Sequence, residues 1–361
     1  MKMMSSVSIF LFICLFIIGL RAECNGGHHL CNQAYNNVTF LVTHDSYALS
    51  PSIAATQDNS ITQQLNDGVR GIKLTAVSVA DETPSSVHVC HTLCEVLDGG
   101  PATDVLNEIA FWLKHNPKEV ITIMWNNLHN IQPTEIEQAY KASEIMPFVY
   151  THDSSDKWPT LQEMIQSGKR VVNFIDSSAR EDDIPWLMDQ FSRVFETPFE
   201  NTELQGFNCD VDRIASNKSS TDLMYVMNHF MYGVIEIAGF AIKTPVKSNA
   251  LLVNSESLVS HVDNCTAVLH KKPNFIEVDF YQLGEALSIV AKLNGVNQTK
   301  VDKNKTTLGI PGITMNVHQN ELNPTKHVLI DNTNSSAVVI KITQYKVFIS
   351  VITSLFMIAS V

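Results

Sequence analysis

Thr39-Phe-Leu-Val-Thr-His-Asp-Ser-Tyr47 is a run of apolar and β-branched residues that stops at three polar ones. A run without alternation reads as a strand buried on both faces, the habit of parallel sheets. His44, Asp45 and Ser46 then stand at its carboxyl end, where parallel α/β barrels keep their chemistry. Working outward, similar runs recur at Gly71–Val77, Val87–Cys90, Glu119–Trp125, Arg170–Ile175, Leu223–Met227 and Phe275–Phe280. Helical patterns separate them. Val105, Leu106, Ile109, Trp112 and Leu113 share one face behind Thr103 as N-cap. Pro133–Ser143, Thr160–Ser167, Asn249–Val262 and Gly284–Asn294 read as helices in the same way. Strands alternating with helices predict a parallel sheet. The strand number predicts a closed TIM-type (β/α) barrel over residues 23–296. Neither a Gly-x-Gly-x-x-Gly nor a Gly-Lys-Ser/Thr loop supports an open doubly wound sheet instead.

Both ends read as processing signals. Lys2, the apolar run Val7–Leu20 and Ala22 form the pattern of a secretory signal peptide over residues 1–22. Residues 297–336 are rich in Asn, Thr, Lys and Pro and read as the end of the barrel and a stalk. Residues 337–361 end in the uncharged run Val347–Val361 behind the small residues Asn334, Ser335 and Ser336. That order predicts glycosylphosphatidylinositol (GPI) attachment at Asn334 and a cell-surface location. The net charge of −12, with no basic run, argues against nucleic acid as a partner. Cys24, Cys31, Cys90, Cys94, Cys209 and Cys265 remain after the signal, an even number in an oxidising compartment. Nearness along the chain favours Cys24–Cys31 and Cys90–Cys94, leaving Cys209–Cys265. Asn37, Asn217, Asn264, Asn297 and Asn304 are expected glycosylation sites, and Asn334 also heads a sequon.

Other polar residues follow strands as well: His91 after Val87–Cys90, Asp176 after Arg170–Ile175, Asn228 and His229 after Leu223–Met227, and Asp279 within the last strand. Two histidines at one barrel mouth suit acid–base chemistry, because imidazole gives and takes protons near neutral pH. The segment His88-x-Cys90-His91-x-x-Cys94 also gathers soft ligands, but its spacing matches no common zinc site and the compartment favours a disulfide.

The first segment resembles the opening catalytic segment of the phosphatidylinositol-specific phospholipase C X-domain family, in which a histidine follows the first strand. Gln64-Leu-Asn-Asp-Gly-Val-Arg-Gly-Ile-Lys73 resembles its second segment, with Gly-x-Arg entering a strand. Val87-His-Val-Cys-His-Thr-Leu-Cys94 resembles the segment with the second histidine. Gly168–Asp176 and Pro273–Tyr281 are similar to later barrel strands of secreted fungal and plant-type members. The resemblance implies a phosphodiesterase barrel with His44 as general base, His91 as general acid and Asp45 beside them. Arg70, Lys73, Asp279 and Asn228 complete the expected substrate-binding set, with Asp279 also placed to orient His44. The family's usual acidic metal ligands, or the arginine of its metal-independent members, are replaced on the second strand by Lys73 and Thr75, which share a face. No cofactor or metal is therefore expected, and Lys73 is assigned the charge that meets the phosphate. The implied substrate is a phosphoinositide or related phosphodiester. The alternative is a catalytically inactive surface protein that keeps the barrel for binding.

Overall fold

Each expected strand forms within two residues of its expected ends. The computed structural model describes residues 23–49, 51–79, 86–153, 157–237 and 240–296. The elements are β1 (Phe40–Thr43), α1 (Ile61–Asp67), β2 (Gly71–Val79), β3 (Ser86–Cys90), β4 (Asp98–Pro101) and α2 (Ala102–His115). They continue with β5 (Ile121–Asn126), α3 (Pro133–Ala142), α4 (Leu161–Ser167), β6 (Val171–Ile175), β7 (Leu187–Asp189) and β8 (Val194–Glu196). Last come β9 (Met224–Asn228), β10 (Tyr232–Ile237), β11 (Phe240–Pro245), α5 (Leu258–Leu269), β12 (Phe275–Val278) and α6 (Ala286–Leu293). The expected N-cap Thr103 lies inside α2, and Pro101 occupies the cap. Thr160 caps α4 in a reciprocal box with Glu163. The helix expected from Asn249 begins as a turn at Ala250–Leu252, breaks at Ser255 (φ −120°, ψ −108°) and resumes as α5. The terminal apolar runs, the stalk, Asn297, Asn304 and Asn334 fall outside the described residues. Among the described residues, no helix is long and apolar enough to cross a membrane.

Eight strands form one parallel, curled sheet in the order β7-β6-β5-β2-β1-β12-β9-β8. First and last strands pair from Phe40↔Phe275 to Thr43↔Val278, which joins the two ends of the barrel sequence. The edges are β7 and β8, so the expected closed barrel is a curled sheet without a ladder at that seam. Gly71 lets β2 approach β1, since a Cβ there would stand 2.4 Å from Val42 Cγ2. Alternation sorts the core into two layers. Leu41, Ile72, Ile123 and Ile276 face the helices, while Phe40, Val42, Met124, Phe174 and Phe275 fill the barrel with Tyr35 beneath them.

One strand corrects its expectation. β3 is not a parallel barrel strand. β2 pairs with β5 as far as Thr75, leaves the barrel, and pairs antiparallel with β3 from Ala76↔Val89 to Val79↔Ser86. β3 therefore runs back down toward the mouth and delivers His91 from above.

Candidate active site

The site is built where β1, β2 and β12 end. The backbone of His44 is clamped: its N–H donates to the Val278 carbonyl at 3.0 Å, and its carbonyl accepts from Thr56 Oγ1 at 2.8 Å and Gln57 Nε2 at 3.0 Å. The ring stacks on Phe230 (centroids 4.1 Å, 11°), with Tyr232 against its edge. Nδ1 lies 2.9 Å from Asp279 Oδ1. A carboxylate only accepts, so Nδ1 carries a proton and Nε2 faces the mouth. Asp45 receives a hydrogen bond from Thr75 Oγ1 at 2.8 Å on one oxygen. Its other oxygen lies 3.7 Å from Nε2 of His44 and 3.7 Å from Nε2 of His91. The two histidines foreseen from sequence thus converge on a single carboxylate oxygen.

His91 is held differently. Its N–H donates to the Leu97 carbonyl, and the Cys90–Cys94 disulfide closes the turn that carries it. Left-handed backbone occurs at Asp45 (φ 39°), Thr92 (φ 63°) and Phe280 (φ 45°), each at or beside a site residue. For a β-branched residue such as Thr92 this conformation is costly, and such strain collects at functional sites. His91 Nδ1 and Asp279 Oδ2 are buried with no hydrogen-bond partner among the described residues.

Electrostatics departs from the simple picture of two near-neutral imidazoles. Burial alone would push His44 down, but Asp45 and Asp279 outweigh it and raise the ring to about 9. Asp279 is itself pushed up by burial, with His44 pulling against that. Free His44 is therefore an imidazolium at neutral pH. The folded state holds this proton more tightly than the unfolded chain. The resulting stabilisation is full below pH 6.5 and is lost as pH rises through about 9. In denaturant unfolding, the stability gap between the natural protein and His44→Gln is expected to be wide below pH 6.5 and to narrow above pH 9. A gap independent of pH would contradict this.

Lys73 does not reach the mouth. It is 4% exposed, with Nζ 3.6 Å from Glu277 Oε2 and 3.7 Å from Glu196 Oε1. Glu196 is also bonded by Arg213, whose Nη1 lies 4.0 Å from Asp176 and whose guanidinium covers Phe199. Asn228 donates to Glu196 and to the Thr197 carbonyl, so its amide is committed to this buried layer. Arg70 lies at the opposite end of β2. There it donates to Glu119 and to the Leu65 and Val69 carbonyls, far from the strand ends where the histidines meet. Its place in the expected substrate-binding set is corrected on that ground. His229 is a packed imidazole: it contacts His261 and the Val253 carbonyl, and burial pushes it down to about 3. Sequence reasoning missed Glu196, Glu277 and Arg213. Glu277 was detectable, since it shares the inward face of β12 with Asp279. Glu196 sits in a three-residue strand with no periodic signal.

The disulfides are Cys24–Cys31, Cys90–Cys94 and Cys209–Cys265, as chain proximity favoured. Cys90 and Cys94 are therefore not thiolate ligands. Asn37, Asn217 and Asn264 are exposed.

The PI-PLC X 1 family model matches residues 30–294. Two proteins of Arthroderma benhamiae are each 32% identical to this chain. One is named "Uncharacterized secreted protein", matched over 291 residues, 76% of this chain and 64% of that one. The other is named "PI-PLC X domain-containing protein 1", matched over 281 residues, 76% of this chain and 90% of that one. The chain thus spans just under two thirds of the first relative's length. Among solved structures, phosphatidylinositol-specific phospholipase C from Listeria monocytogenes superposes with a TM-score of 0.50 at 17% identity, covering 73% of this chain and 95% of that one. At that identity the likeness is one of fold.

Proposed function

This chain belongs to the PI-PLC X domain family, and from that premise we propose that it is a phosphoric diester hydrolase acting on a phosphoinositide-type lipid. The observation that carries the reading is the convergence of His44 and His91 on one oxygen of Asp45, each Nε2 at 3.7 Å. In the proposed reaction, neutral His44 removes the proton from a substrate hydroxyl beside the phosphate. The resulting oxygen attacks phosphorus, the bond to the departing alkoxide breaks as His91 gives that oxygen its proton, and water then opens the cyclic phosphodiester with the two histidines exchanging roles. Asp279 holds His44 in register and stabilises the imidazolium that forms. His91 Nδ1 and Asp279 Oδ2 are buried groups of the kind that bound substrate or ordered water satisfies. The reading keeps the mechanism metal-independent: between the inward carboxylates Glu196 and Glu277, Lys73 already supplies the positive charge.

One observation favours the second reading, a surface-binding scaffold without turnover. Lys73, the cation expected to meet the phosphate, is neutralised by two buried carboxylates. Incubating purified protein with inositol phospholipids, glycolipid anchors and glycerophosphodiesters, with chelator present, separates the two. New phosphorus NMR signals from an inositol lipid are expected. An unchanged spectrum across the panel would leave the scaffold reading.

The same proposal places the mature chain at the cell surface on a GPI anchor attached near Asn334. A relative named as secreted supports the export step. Treating intact cells with an anchor-cleaving phospholipase is expected to release the protein without residues 347–361. Retention in the membrane, with that segment found by mass spectrometry, would refute the anchor.

A further inference from the structure

His44 and Asp45 follow β1 and Asp279 follows β12, both strands of the barrel. His91 instead opens a turn, residues 91–97, between the antiparallel strands β3 and β4, which stand off the barrel path. The register between those strands shifts from His88 to Cys90, just before the turn begins. Inside the turn, the His91 N–H donates to the Leu97 carbonyl at 2.9 Å, Leu93 to the His91 carbonyl at 2.7 Å and Val96 to the Leu93 carbonyl at 3.0 Å. These bonds shape the turn without fixing where it sits over the mouth. Among the described residues, a single hydrogen bond of the turn leaves it: His129 Nε2 lies 2.6 Å from the carbonyl oxygen of Thr92. A carbonyl only accepts, so the imidazole donates.

The donor is itself anchored to the barrel. His129 stands in the connection from β5 to α3. Asn127, buried at the start of that connection, gives its N–H to Asp176 Oδ1 at 2.8 Å. Its amide holds Ile131 at both backbone groups, Nδ2 to the carbonyl at 3.0 Å and Oδ1 from the N–H at 2.9 Å. Ser177 Oγ donates to the Asn127 carbonyl at 3.2 Å, which ties the connection to the end of β6. The acceptor needs such a tie. Thr92 has a left-handed backbone (φ 63°), a conformation that persists in a β-branched residue only where its surroundings hold it.

We infer that His129 is a positioning residue for the acid: its hydrogen bond to the Thr92 carbonyl fixes the His91 turn over the barrel mouth. The inference deepens the proposed function and rests on it for the role of His91. An acid works within about 2.6–3.2 Å of the oxygen it protonates. A displacement of about 1 Å costs as much as about 10²-fold in rate. His129 acts through His91 and takes no proton from the substrate.

The test compares the full natural chain with His129→Ala and His129→Gln on two inositol phosphodiesters. One is a short-chain phosphatidylinositol, whose leaving alkoxide needs a proton. The other carries para-nitrophenol, whose anion leaves without one. His129→Ala is expected to lower kcat on the lipid about tenfold, with KM little changed, and to spare the nitrophenyl ester. His129→Gln, whose amide N–H reaches the same carbonyl, is expected to restore most of the loss. Equal losses on both substrates, a natural rate on the lipid in His129→Ala, or no rescue by glutamine would overturn the inference. A natural chain that cleaves neither ester would sink the proposed function, and NMR then judges the tie by itself. The ring signals of His91 are expected to move in His129→Ala and to return in His129→Gln. Unmoved His91 signals in His129→Ala would overturn the inference whether or not the chain is active.

Discussion

On the proposed mechanism, His44→Ala and His91→Ala are each expected to lower phosphoinositide turnover by about 10²–10⁴-fold, the usual contribution of a positioned acid or base. The two rings share Asp45 as neighbour and, in the proposed reaction, act on the same phosphorus in one event, so their losses should not add. The double variant is therefore expected to be little worse than either single one. Folding should survive in both. The backbone of His44 is fixed by Val278, Thr56 and Gln57, and that of His91 by Leu97 and a disulfide; none of these bonds uses an imidazole. Steady-state rates on a dispersed inositol lipid, with circular dichroism as the folding check, decide the matter. Natural rates in both single variants would move the chemistry elsewhere.

The second large effect is on stability. Lys73→Met is expected to cost about 3–5 kcal/mol, as when one partner of a buried ion pair is removed. The lysine stands between Glu277 and Glu196 inside the barrel, and all three are buried. Without it, burial pushes the Glu277 carboxyl further up and Glu196 keeps only Arg213 as a cationic partner. Adding Glu277→Gln to Lys73→Met should restore part of the loss, because it removes one uncompensated carboxylate. Equilibrium unfolding in urea measures both variants. A natural midpoint in Lys73→Met would show that the lysine is not an internal counter-ion. The sequence-based expectation was the reverse, a free charge at the mouth. It had the inward face right and the partners wrong.

That difference marks how much of the molecule was legible. Long uninterrupted strands such as β1, β5 and β6 announced a buried parallel sheet, and the polar residues that end β1 announced the site. β7 and β8 are three residues each and carry no period to read. Glu196 and Arg213 meet across a 17-residue separation through the β8–β9 connection, which local patterning does not encode. β3 looked like a barrel strand because its composition matches one. Its antiparallel direction follows from β2 running past the barrel edge and pairing beyond Thr75. His91 was located correctly for a reason that the topology replaces.

The central claim is that His44, held by Asp279, is the base. The most direct test is the pH dependence of kcat/KM in the natural protein and in Asp279→Asn. Only neutral His44 accepts a proton, and Asp45 and Asp279 raise its pKa to about 9. Because His91 must hold its proton while His44 is neutral, the natural profile should be a bell, with the limb set by His44 near 9. Losing the Asp279 charge should move that limb from near 9 toward the ordinary histidine value of 6.5. A limb near 9 that stays at the same pH in both proteins, or no limb near 9 in the natural protein, would contradict the account.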